Sequence, residues 1–265
     1  MSTAVVLAAA AVLYLTGVRR HDALRPGERF PRRRVWVFLA GLSALGLALV
    51  GPLEAAAGAS FSWHMVQHLV IALVAAPLLL LGRPLLVVRR AGPPRGRRAV
   101  AAALRSRPVH AVTHPVAAWS TFVVVLWASH YTALYQLALE RPAVHVLEHA
   151  LYLGAAVLFW FPVLAVEPSP WRLGHGARLL YLFLALPANA LLASSLFQAD
   201  AVLYAHYAAD PAALADQRSA AAIMWTGGGL LMLLAVVLVA SSWARAERAA
   251  GRSADAPALP RPEGG

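Results

Sequence analysis

FSWHMVQHLVIALVAAPLLLLG, residues 61–82, decides the fold. It carries no Asp, Glu, Lys or Arg, and it is long enough to cross a bilayer as a helix, which takes about 20 residues. Two histidines one turn apart open it, and Arg83 begins an arginine-rich segment directly after it. Six further stretches read as spans, at 2–18, 35–57, 112–130, 145–166, 178–198 and 219–243. The chain of 265 residues is 60% hydrophobic and 13% charged, with a mean hydropathy of +0.63, which excludes a soluble domain. These features predict an all-α fold, a polytopic membrane helix bundle with about seven transmembrane helices. The membrane domain is expected over 1–243, followed by a disordered, Pro/Gly-rich tail over 244–265. The first stretch lacks a basic start and a small-residue cleavage site, so it reads as a retained span rather than a signal peptide.

A net charge of +11 raises the question of nucleic acid, and its distribution answers it. All 23 basic residues are arginine. Seven lie in the 19–34 segment, eight in 83–111, two (Arg172 and Arg178) in the 167–178 turn and four after the last span. The alternate segments hold only Arg141 and Arg218. This is the positive-inside asymmetry of a membrane protein. It predicts the N-terminus outside and the C-terminus inside, with the bilayer and its anionic lipids as the charge partner and no nucleic acid. Cysteine is absent, so there is no disulfide and no thiolate, and any metal must be held by imidazole, thioether or carboxylate. No Gly-rich phosphate loop is present. The glycines at 227–229 fall inside the last span and are read as permitting close helix packing.

With that orientation, the ten histidines divide. His21, His110, His114 and His175 fall among the arginines and read as interfacial or solvated loop residues. His64, His68, His130, His145, His149 and His206 map to the outer ends of spans. Positions i and i+4 share a helix face, so His64/His68 and His145/His149 form two pairs. Met65 and Glu148 add a possible third ligand to each, and Met224 lies about one turn into the last span. Asp200, Asp210, Asp216 and Glu54 lie nearby and read as solvated charges. Trp63, Trp127, Tyr131, Tyr135, Tyr204, Tyr207 and Trp225 fit an interfacial aromatic belt. Imidazole with thioether suits copper, Cu(I) above all, whereas imidazole with carboxylate suits zinc as well.

The segments SFSWHMVQHLVIALVAAPLLLLGRP (60–84), LWASHYTALYQLALERPAVHVLEHALYLGAAVLFWFPVL (126–164) and DQRSAAAIMWTGGGLLML (216–233) resemble the CtaG-type cytochrome c oxidase assembly family. The signature is HMxxH, then SH at a span end, then HxxEH followed by FWFPV, then DQ ahead of MW. The resemblance implies a seven-span protein of the bacterial plasma membrane, implicated in delivering copper to the copper B site of haem–copper oxidases. It picks out His64, Met65, His68, His130, His145, Glu148, His149, Asp216, Gln217 and Met224. Its implied partners are the oxidase catalytic subunit and an extracytoplasmic copper donor, and its implied role is that of a metallochaperone rather than an enzyme. Three readings of the residues stand beside it. HVLEH (145–149) matches the H-x-x-E-H pattern of zinc metallopeptidases, with Glu148 as general base. Histidines on facing spans can ligate a b-type haem. Intramembrane ionisable residues also mark proton or ion pathways, although here they stay at one face.

Overall fold

The computed structural model describes residues 3–164 and 169–254, and among them there is no strand. The first span is α1 (Thr3–Leu24), and the second is α2 (Arg32–Leu49) continued by α3 (Pro52–Ala59). The third starts at Phe61 with α4 (Phe61–Leu69), widens into a π-helical stretch at Val70–Ala75, and continues as α5 (Ala76–Leu81) and α6 (Pro84–Ala91). Two short helices follow, α7 (Pro94–Arg105) and α8 (Arg107–Val112), where the sequence suggested one basic loop. Next come α9 (Pro115–Tyr131) and α10 (Ala133–Glu140), a pair bent by 68°. The last three are α11 (Pro142–Leu164), α12 (His175–Phe197) and α13 (Ala213–Ala254). Among the described residues, six helical spans are thus long and apolar enough to cross a membrane, and seven if the bent pair counts as one. The chain is an all-α, multi-pass bundle.

Local chemistry explains the breaks. Arg83 has φ 54° and ψ 50°, a left-handed turn, and Pro84 restarts the helix at its first position. At the α9–α10 bend, the Thr132 hydroxyl donates to the Ala128 carbonyl (2.6 Å) and accepts from the Leu134 N–H (3.2 Å). That one side chain serves the end of one helix and the start of the next. In the π-helical stretch, the Ala72 carbonyl accepts from Trp160 Nε1 of α11 (2.8 Å), so the disturbed ladder is paired across the bundle. α13 continues to Ala254, eleven residues beyond the boundary placed at 243; the rest of the tail lies outside the described residues.

Among the described residues four buried apolar clusters fill the bundle, and two of them are the largest. One holds Phe122, Phe159, Trp160, Tyr181 and Leu182; the other holds Phe61, Met65, Tyr135, Leu192, Leu196 and Met224. α13 packs along α12 and α4, where Asn189 Nδ2 donates to the Met224 carbonyl (3.1 Å). Two of the three glycines at 227–229 carry this approach. A Cβ on Gly228 would sit 3.2 Å from the Asn189 amide, and one on Gly227 3.3 Å from Leu69.

The arginine segments gather at one end of the bundle. There Arg90 and Arg25 pair with Glu28 at 2.7 and 3.1 Å and hold its carboxyl below the usual range. His21 departs from the loop reading given to it: it is 1% exposed, packed edge-on to Phe30. His110 and His114 instead flank Trp171. The opposite end brings together the starts of α4, α11 and α13 and the ends of α3 and α9.

Candidate metal centre

The height of α4 is set by a residue far away in sequence. Asp216, in the first turn of α13, accepts from the N–H groups of Phe61 (2.7 Å) and Ser62 (3.3 Å), from Ser60 Oγ (3.1 Å) and from Ser62 Oγ. A carboxylate here satisfies orphan donors of the helix N-terminus and opposes its dipole. Gln217 is buried beside it and ties the preceding loop, accepting from the Leu203 N–H (2.9 Å) and donating to the Leu196 carbonyl (3.4 Å). Asp216 is therefore an anchor rather than the solvated charge suggested by sequence, and the Asp–Gln pair is architecture.

From that anchor, α4 presents His64 and His68 to Glu148 of α11. His64 Nε2 lies 3.6 Å from Glu148 Oε2, and His68 Nε2 lies 4.0 Å from Oε1. All three residues are buried, Glu148 completely. A second group adjoins them: Glu54 of α3 with His145 and His149, in which His145 Nδ1 is 3.6 Å from Glu54 Oε1. The two groups touch through their rings. His64 stacks on His145 at a centroid distance of 5.7 Å, and His68 meets His149 edge-on at 5.9 Å. Gln67 Nε2 donates to Glu54 and to the Ala48 carbonyl, which fixes α3 beside α4.

Most of these polar atoms have no hydrogen-bond partner among the described residues. His64 Nε2, both His68 nitrogens, His145 Nε2, His149 Nε2 and both Glu148 oxygens are buried without one. Each such atom costs about 1–3 kcal/mol when it is left unpaired, so their concentration at one point marks a candidate cation site. The spacing fits. Two donors each about 2.1 Å from one ion lie about 3.4 Å apart in tetrahedral and about 4.2 Å apart in linear coordination, which brackets 3.6 and 4.0 Å. Two imidazoles and a carboxylate suit copper or zinc. The rings pack on one another at 4.2–6.3 Å between centroids, which leaves no slot for a haem macrocycle between them.

His130 closes the pocket without joining either group. Its Nδ1 donates to the Leu126 carbonyl (2.7 Å), since a carbonyl can only accept, so Nε2 keeps its lone pair. It lines the same small space as His64, His68 and Glu148. Met65 and Met224 line a neighbouring apolar cavity, which His68 also borders, and not the small space that holds Glu148. His206 is exposed, its ring against Tyr207, and is part of neither group. HVLEH is divided in space: His145 and His149 group with Glu54, whereas Glu148 groups with His64 and His68.

Three aromatics assigned to the interfacial belt form the roof of the site instead. Tyr135 meets His64 edge-on at 4.7 Å, Tyr204 donates its hydroxyl to the His130 carbonyl (3.2 Å), and Tyr207 shares a hydrogen bond with Tyr135 (3.0 Å). Trp63, Tyr131 and Trp225 stay about half exposed, as a belt requires. Sequence reasoning passed over Tyr152, which stacks on His68 at 3.8 Å and bonds Ser129 Oγ at 2.6 Å. It sits one turn beyond Glu148 and His149, so the helical period alone could have found it. Glu54, read from sequence as a solvated charge, instead groups with His145 and His149.

Fold and site together define a class: a multi-pass helical membrane protein with a buried histidine–carboxylate constellation at one end of its bundle. The sequence pattern of the cytochrome c oxidase caa3 assembly factor family matches residues 12–246, and the chain belongs to that family. Uncharacterised proteins of Mycobacterium bovis and Mycobacterium tuberculosis are each 25% identical over 237 residues, 84% of this chain and 36% of theirs. One of Mycobacterium leprae is 26% identical over 257 residues, 92% of this chain and 38% of its own length. The chain thus spans little more than a third of these relatives. No solved structure matches it.

Proposed function

We propose that this protein is a metallochaperone for a haem–copper oxidase: it binds copper at the buried cluster around His64, His68 and Glu148 and delivers it to the copper B site of the oxidase catalytic subunit. The observation that carries this reading is the set of buried, unpartnered imidazole and carboxylate atoms at one end of the bundle. Membership of an oxidase assembly family supplies the destination. A chaperone must release what it binds. Imidazoles and a single carboxylate hold copper without the inert cage that four thiolates would build. His145 and Glu54 are partly exposed and adjoin this group through the His64–His145 ring contact, so copper from an extracytoplasmic donor would enter past them. The protein sits in the bacterial plasma membrane with this end outward, following the arginine asymmetry.

The test is the double substitution of His68 and His149 by Ala. Purified variant should insert normally and lose stoichiometric copper. Cells carrying it should assemble an oxidase that holds haem but lacks copper at the copper B site, with activity recovering in excess copper. Copper retained by the variant, or full oxidase activity under copper limitation in cells lacking the protein, would rule the reading out.

A further inference from the structure

The histidine–carboxylate cluster leaves a second set of donors unused. The chain has four methionines, and the three among the described residues, Met65, Met224 and Met232, line one apolar cavity of about 40 Å³. All three are at most 5% exposed, so none is there to meet lipid. Met65 on α4 and Met224 on α13 belong to the same buried cluster near the site. Met232 lies two turns further along α13, about 12 Å by helical rise, and closes the far end. His68 is the shared wall: its ring borders this cavity and also the pocket that contains Glu148. Nε2 is turned toward Glu148, while Nδ1, on the other edge of the ring, is buried without a hydrogen-bond partner.

Methionine fills irregular gaps in any core, and packing alone accounts for one thioether. It does not account for an unpaired imidazole nitrogen on the wall of a cavity that gathers all three methionines of the described residues. Thioether and imidazole are soft, neutral donors. They favour a monovalent soft cation, whereas a carboxylate favours a divalent one. The apolar lining also excludes the water that would compete for the ion.

We infer that Met65, Met224 and His68 form a second site, specific for Cu(I), which adjoins the His64–His68–Glu148 site through the His68 ring. This rests on the copper reading above and divides it by oxidation state: divalent ions are held at the carboxylate, Cu(I) at the thioethers. The two sites share a ligand, so they are not filled independently.

The experiment uses full-length protein purified from membranes, with Cu(I) and Ag(I) titrated under reducing conditions and Zn(II) in parallel. Met65→Leu with Met224→Leu conserves volume and spares the fold. The pair should lose at least tenfold in Cu(I) and Ag(I) affinity and stay within twofold for Zn(II). Glu148→Gln should show the opposite pattern. X-ray absorption of the Cu(I)-loaded wild type should contain sulfur scattering. Wild type that binds Cu(I) through nitrogen and oxygen alone, or a Leu pair with unchanged Cu(I) affinity, overturns the thioether site and leaves copper binding standing. Wild type that binds no copper overturns both. Should the Leu pair also lose Zn(II), the wild-type sulfur scattering decides.

Discussion

At the scale of single residues, Glu148 is the most consequential. It is fully buried, faces two imidazoles, and has no hydrogen bond to either oxygen among the described residues. Without an ion, that arrangement works against folding, because a buried carboxylate is expensive and neutral isosteres are tolerated better. Glu148→Gln should therefore act in two directions. Affinity for a divalent probe, Cu(II) or Zn(II), should fall about 10–100-fold, the range seen when a supporting carboxylate is removed from a metal site. The metal-free variant should be more stable, by about 1–3 kcal/mol, read as a higher melting temperature in the same detergent. An unchanged affinity would remove Glu148 from the ligand set, and a lower metal-free melting temperature would mean that the carboxylate is paired in the apo protein. Sequence made Glu148 visible through its place one turn after His145. It could not assign its partners, since a helix periodicity gives the face of α11 and not what lies opposite.

At the scale of elements, the site depends on where α4 begins. That start is fixed by Asp216, 154–156 residues away along the chain, through backbone N–H groups and two serine hydroxyls. Asp216→Ala strands these donors and should cost about 1–3 kcal/mol of stability, with metal affinity falling as His64 and His68 lose their height. Asp216→Asn keeps an acceptor oxygen and should retain most of both. Thermal unfolding and metal titration of the two variants check this, and equal behaviour of Ala and Asn would show that the cap is not what positions α4. The capping role was hidden in the sequence. Asp216 and Phe61 belong to different spans, and a cap supplied across the bundle leaves no local pattern. The bend between α9 and α10 was hidden for the same reason: Thr132 looks like any residue at a span end until the next helix turns away by 68°.

At the scale of the molecule, the arginine segments and the histidine cluster occupy opposite ends of the bundle. In the proposed reading orientation then decides function, because copper arriving from outside would reach the cluster only if that end faces outward. A reporter fused after Arg252 should be active only in its cytoplasmic form, and a C-terminus found outside would turn the cluster to the cytoplasm and defeat the delivery reading. The spans themselves were written in the sequence. A bilayer imposes a length and an apolarity on each helix that tertiary contacts cannot relax, so starts such as Phe61 are legible residue by residue. The i,i+4 pairs were legible for a similar reason, since backbone geometry alone puts them on one face. Tertiary structure decided how those faces meet. It joined Glu148 to His64 and His68, gave His145 and His149 to Glu54, and turned Met65 and Met224 toward a cavity of their own. These are contacts between helices distant in sequence, set by packing and by caps such as Asp216, and no single-helix period contains them.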